Sequence, residues 1–152
     1  MEKNQQRNLM RKGDEAIGEI INSHRELRVF QTAFALALSV MKLTDVFPSA
    51  ERYRLVDQMC RASTSVCANI AEAWRKRRYK AAFIAKLSDA ESEACEMQVW
   101  LELAFRRGFI PKDEFATFFR DYDQVLGQLV TMIHNADRWL IRSKKTASKA
   151  RI

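Results

Sequence analysis

The stretch FIAKLSDAESEACEMQVWLELA, residues 83–104, decides the fold. Phe83, Leu87, Ala90, Ala94, Met97, Leu101 and Ala104 follow one another in steps of 4, 3, 4, 3, 4 and 3 residues. At ~100° per residue these side chains form one stripe on a helix. Sustained alternation of threes and fours is a heptad seam, the pattern of helices packed nearly parallel or antiparallel. The segment reads as a helix over about Tyr79 to Arg107. Arg106 and Arg107 suit a helix C-terminus, and Gly108 is its natural stop.

Three further helical segments surround it. Phe30, Ala33, Phe34, Ala37, Val40, Met41 and Thr44 form a stripe over about Leu27 to Val46, closed by Pro48. Val56, Met59, Cys60, Ser63, Val66, Cys67, Ile70, Ala71 and Trp74 do the same over about Ala50 to Trp74, with Ser49 as the expected N-cap and Glu51 in the first turn. Pro111 opens a last segment. Its inward face is Phe115, Phe118, Phe119, Tyr122, Val125, Leu126, Leu129, Ile133, Ala136 and Leu140. The longer helices would be roughly 40 Å long at ~1.5 Å per residue. Short connections require antiparallel neighbours, so the expected fold is all-α, an up-down-up-down four-helix bundle.

Composition agrees. With 152 residues, one domain is the default. A balance of 47% apolar and 30% charged residues argues against a disordered chain, and four Gly and two Pro are too few for a sandwich or barrel. The expected organisation is a polar N-terminal extension over 1–24, the bundle over 25–142 and a basic tail over 143–152. Ile17, Ile20, Ile21 and His24 suggest a short amphipathic turn within the extension. The first residues lack an apolar core for a secretory signal, and the most apolar run, Val29 to Met41, falls short of the ~20 residues that span a bilayer. Cys60, Cys67 and Cys95 cannot all pair within one chain and form no C-x-x-C, so free thiols in a reducing cytoplasm are expected.

The third helical segment has a second face. Ala81, Ala85, Ser88, Ser92, Cys95, Val99 and Leu103 fall opposite the seam, with charges only on the flanks. A helix in a lone bundle should show water a charged back. This back is small or apolar, so it is expected to be an oligomer interface; the alternative is an Ala/Ser-rich face open to water. Ala62, Ser65, Ala68 and Asn69 give the second segment a milder version.

The strongest functional signal is basic. The net charge is +7 and the isoelectric point near 9.6. Arg75, Lys76, Arg77, Arg78 and Lys80 cluster around Tyr79 at one turn, and Arg54, Arg61 and Arg75 fall on one helical line at multiples of seven. Lys144, Lys145, Lys149 and Arg151 extend the charge into the tail. Lys and Arg bind phosphate backbones through counterion release, and an aromatic among them can stack on an unpaired base. A basic turn can equally be a solvated loop, but these eight residues (Arg54, Arg61, Arg75, Lys76, Arg77, Arg78, Tyr79, Lys80) are the nucleic-acid-binding candidates.

Other constellations are weaker. Asp89, Glu93 and Glu96 share one flank, and Glu93-x-x-Glu96 is half of an acidic hydrolase motif, but no E-x-x-D follows and E-x-x-H is missing. Salt bridges are the expected use of these acids, and Glu72 is expected to pair with Arg75. His24 and His134 read as bland histidines, and Cys60 and Cys67 as inert core thiols. No phosphate loop or catalytic triad appears, so neither catalytic residues nor a metal or cofactor are expected.

Several stretches together resemble the family of proteins encoded in 23S ribosomal RNA intervening sequences. They are Arg25 to Ala33, Phe47-Pro48, Glu51 to Leu55, Gln58 to Ala62, Ser65 to Glu72 with Arg75 beyond, the Phe83, Leu87 and Ala90–Glu93 block, and Ala104 to Ile110. The most specific piece is Ala68-Asn69-Ile70-Ala71-Glu72 with Arg61-Ala62 upstream. The family often has Pro where Cys67 stands and Gly where Ala73 stands; here both changes favour an unbroken helix. The resemblance implies a bacterial cytoplasmic protein, a four-helix bundle, a ring-shaped homopentamer and no known catalytic activity. A related group, the accessory variability determinants of diversity-generating retroelements, is pentameric and basic and associates with nucleic acid and a reverse transcriptase, which implies a class of partner.

Sequence and resemblance together point to a non-enzymatic oligomeric bundle that holds nucleic acid, RNA favoured, without strong sequence preference. The alternative is an adaptor or scaffold for an acidic partner protein, and the third is a metal-dependent helical hydrolase.

Overall fold

The computed structural model describes residues 21–142. Four helices carry the fold: α1 Arg28–Thr44, α2 Asp57–Arg75, α3 Lys80–Arg106 and α4 Lys112–His134. No strand occurs among the described residues. Short 3-10 turns at His24–Glu26 and Ser49–Glu51 and a π-helical stretch at Arg52–Val56 precede α1 and α2, and a last 3-10 turn, Ala136–Arg138, follows α4. The expected tail 143–152, and the extension up to residue 20, lie outside the described residues.

Cross-helix contacts run in opposite chain directions, which makes neighbours antiparallel. Arg61 meets Glu96 while Glu72 meets Lys86, so α2 and α3 run oppositely. Phe105 stacks on Phe115 while Lys80 meets Asp137, so α3 and α4 do too. Thr44 meets Cys60 at the α1–α2 end. The packing order is α1–α2–α3–α4, with α4 closing back on α1.

The seam on α3 is buried over its whole length: Phe83, Leu87, Ala90, Ala94, Met97, Leu101 and Ala104 are closed to water. Met59, Val66, Ile70 and Trp74 of α2 and Tyr122, Val125 and Leu129 of α4 complete the core. The helix α2 passes Cys67 and Ala73 without a break.

Four expectations change. The inward face of α1 is Val29, Ala33, Leu36, Ala37, Val40, Leu43 and Thr44. Phe34 and Met41, read as core, are 50% and 40% exposed, and Leu38 beside them is 56% exposed. Residues 33–41 are apolar nearly all round the helix, so periodicity could not choose the face that α2 and α4 cover. Ala62, placed on an outer face, is fully buried. Ser49 does not cap α2: it opens the 3-10 turn, and no side chain caps that turn. Glu51 stands in the first turn of that 3-10 helix, but side chains take up its charge. Its carboxylate is nearly closed to water and accepts from Arg54 Nη2 at 2.8 Å and Arg107 Nη2 at 3.5 Å, tying the α1–α2 connection to the end of α3.

The α3 terminus follows from one residue. Gly108 has φ +78°, the left-handed conformation that costs an L-residue energy. In this geometry Gly108 N donates to Phe105 O and Phe109 N to Ala104 O, both at 2.9 Å, which satisfies the last carbonyls of α3. Phe109 then packs on Phe47. Gly127, by contrast, is an exposed glycine inside α4 with open space at its Cβ position. Alanine at the two positions should therefore act with opposite signs. Urea denaturation at fixed protomer concentration should show Gly108→Ala less stable by about 1–2 kcal/mol and Gly127→Ala more stable by about 0.5–1 kcal/mol.

Candidate nucleic-acid interface

The α2–α3 connection is short, so its cations are crowded. Lys76 N closes α2 on Glu72 O and Ala73 O, and Tyr79 N turns back to Lys76 O. Arg75, Lys76 and Arg78 project into water and form no ion pair among the described residues. Tyr79 stands among them, 71% exposed.

Arg77 behaves differently from its neighbours. Its guanidinium lies over the Trp74 ring, with Cζ 3.4 Å from the centroid. Nε donates to Trp74 O at 2.8 Å and Nη1 to Trp139 O at 3.4 Å. Its own carbonyl accepts from Ile141 N at 3.1 Å. Half-burial, then the charge of Arg75, lowers the guanidinium pKa from its ordinary value. Arg77 thus pins the segment after α4 to the turn. Lys80 adds a second tie, 3.0 Å from Asp137. Because residue 141 is held here, the chain continues into its Lys144, Lys145, Lys149 and Arg151 sequence from the basic end of the bundle.

The structure divides the eight candidates. Arg75, Lys76, Arg78 and Tyr79 share one exposed turn; Arg77 and Lys80 hold the C-terminal segment against it. Arg54 lies at the opposite end, 21 residues or roughly 30 Å away at ~1.5 Å per residue, engaged with Glu51. Arg61 sits mid-helix and crosses to α3, 2.7 Å from Glu96 and 3.8 Å from Glu93. The line of three arginines does not form one surface, because pairing with acids on neighbouring elements removes two of them. Trp139 and Asp137 were not anticipated; the Trp74–Arg77 spacing of three residues is the one hint that the sequence held.

The acidic flank of α3 is used in ion pairs. Besides Arg61, Trp100 Nε1 donates to Glu96 Oε1 at 3.0 Å. Lys86 Nζ bridges Glu72 at 2.9 Å and Asp89 at 3.5 Å, and the hydrogen bond to Glu72 is the main cause of its raised pKa. Glu72 therefore pairs across helices instead of with Arg75. No group of three His, Cys, Asp or Glu side chains among the described residues is close enough to hold a metal. Among the cysteines, Cys67 is buried, which pushes its thiol up to about 11; Cys60 is half-buried and Cys95 exposed. No helix among the described residues is long and apolar enough to cross a membrane.

A model of the 23S rRNA-intervening sequence protein family matches residues 25–131, most of the chain. The chain belongs to that family. A crystal structure from Bacteroides thetaiotaomicron, described as a protein of unknown function from the S23 ribosomal protein family, is similar. The two chains are 28% identical with a TM-score of 0.64 over 70% of this chain and 95% of the other. No curated protein matches. The matched region stops at residue 131, so Arg77's partners Trp139 and Ile141 lie beyond what the family model describes, while Arg75 to Lys80 lie within it.

Arg77→Lys removes the stacked guanidinium and the bond to Trp139 but keeps the charge. Thermal denaturation should show a loss of about 1–3 kcal/mol, whereas Arg75→Ala, on exposed and unpaired ground, should stay within about 0.5 kcal/mol of the parent.

Proposed function

We propose that this member of the 23S rRNA-intervening sequence protein family is a non-enzymatic nucleic-acid-binding protein that works as a ring-shaped homo-oligomer, a pentamer by resemblance, and favours RNA. The observation that carries the reading is the exposed turn Arg75, Lys76, Arg78 with Tyr79, at the end of the bundle from which the basic tail departs. Three cations without acidic partners are free to replace counterions on phosphates, which gives affinity without base reading. Tyr79 offers a stacking face for an unpaired base, and unstacked bases are what single-stranded RNA presents.

The oligomer supplies avidity. Ala81, Ala85, Ser88, Ser92, Cys95, Val99 and Leu103 are all exposed on a single protomer, with Val99 at 51% and Leu103 at 45%. A second copy covering this face would bring several basic turns together, and linked weak contacts add effective concentration.

Fluorescence anisotropy with a labelled single-stranded RNA 20-mer tests the reading. The association constant should fall with salt, with a slope of log K against log salt of about −2 or steeper, about −0.7 per neutralised phosphate. The triple variant Arg75→Ala, Lys76→Ala, Arg78→Ala should make that slope shallower by about 2, and Arg61→Ala should leave it unchanged. Salt-independent binding, or binding indifferent to the triple variant, would overturn the proposal. Purified protein should carry nuclease-sensitive absorbance near 260 nm; a stoichiometric acidic polypeptide in its place would favour an adaptor.

A further inference from the structure

The exposed stripe of α1 is one wall of a groove. Phe30, Phe34, Leu38 and Met41 line one side, and Thr64, Cys67, Ala68 and Ala71 of α2 line the other, enclosing about 380 Å³. His24 closes one end, its ring edge-on to Phe30 at 4.8 Å. Three large apolar side chains more than a third exposed on one helix are unusual for a solitary protomer and mark an interaction surface.

We propose that this groove receives the outer face of α3 from a second copy, in a head-to-tail contact repeated around the ring. The inference rests on the oligomer proposed above and names the other half of its contact. The groove and the α3 face belong to different elements, so they are different surfaces of the same protomer. A two-fold contact that paired either surface with itself would leave the other open to water. Pairing one with the other covers both, and a heterologous contact whose rotation closes generates a ring.

Spacing, shape and charge agree. Phe34, Leu38 and Met41 follow steps of 4 and 3 residues, and Ser88, Ser92 and Cys95 follow the same steps. Matched rows at this spacing let two helices pack along their length. The α1 row is large and projecting, whereas the middle of the α3 row is small, so ridge meets trough. Helix α1 carries Arg28 and Lys42 and no acid, a net charge of +2. Helix α3 carries five acids, of which Asp89, Glu93, Glu96 and Glu102 already pair with cations of α2 and α3. Glu91 on its flank has no ion pair among the described residues and would face the α1 cations.

Cross-linking with a short bismaleimide tests the pairing, in a Cys60→Ala background where Cys95 is the exposed native thiol. Phe34→Cys, Leu38→Cys and Met41→Cys are each treated after circular dichroism and sedimentation confirm a folded, assembled sample. At least one should give a ladder of covalent multimers reaching the ring number, and adding Cys95→Ser should abolish it. Ladders end at dimers if the contact is two-fold, which overturns the pairing, as does a ladder that survives Cys95→Ser or an assembled protein with no ladder at any position. Charge insertion gives a second measure: Leu38→Glu and Ser92→Glu should each sediment as monomers alone, and mixing them should yield a 1:1 dimer, since each retains one intact face. Failure of either to dissociate overturns the pairing. A parent chain that sediments as a monomer overturns the ring itself, and RNA binding by that monomer would leave the basic-turn reading standing.

Discussion

Helix α3 has its entire inward stripe, Phe83 through Ala104, closed to water between α2 and α4. Three of its seven seam residues are alanines, which keeps the neighbouring axes close. Polar groups fix the sliding of the helices past one another. Arg61 reaches Glu93 and Glu96, and Lys86 reaches Glu72, so α2 and α3 are tied at two heights. On α4, Gln98 Nε2 donates to Phe119 O at 3.2 Å and Asp123 Oδ1 at 2.7 Å. These exposed or half-exposed links add little stability each, yet they set register that an apolar seam leaves open.

The two ends of the bundle follow from that frame. At one end, Glu51 is enclosed and pulls in Arg54 and Arg107, and the Gly108 turn lays Phe109 on Phe47. Two arginines there share one carboxylate. At the other end, Arg77 spends its guanidinium on Trp74 and Trp139, while Lys80 meets Asp137. Arg75, Lys76 and Arg78 are left with water alone among the described residues. Three unpaired cations thus share one short turn where the C-terminal segment is fastened, whereas the other cations without an ion pair among the described residues, such as Arg28, Lys42, Arg52 and Lys112, are scattered singly.

Legibility in the sequence varied with how many answers a pattern allowed. The α3 seam kept its steps of 4 and 3 so regularly that every one of its seven members was found buried. The α4 face was also readable, though Met132, outside the expected stripe, is buried and the helix stops at His134, short of Leu140. In α1 the run Ala33 to Met41 offers apolar side chains in nearly every direction, and the stripe chosen from spacing was rotated by part of a turn. The basic set failed in a different way. A cation's partner is a matter of which acid lies within 4 Å in space, and Arg61's partners are more than thirty residues away in sequence.

The order of amino acids alone determined four amphipathic helices, most of their boundaries, their antiparallel connection and the family, because these depend on local periodicity, breakers and short loops; the α-helical start of α2 and the end of α4 fell six or seven residues from where spacing put them. Only the tertiary structure decided which apolar stripe of α1 stays outside, which arginines are consumed by acids or rings, and that Arg77 fastens the C-terminal segment beside the exposed turn. Those outcomes depend on distances between residues far apart in the chain, and a helical period carries no record of what will stand opposite.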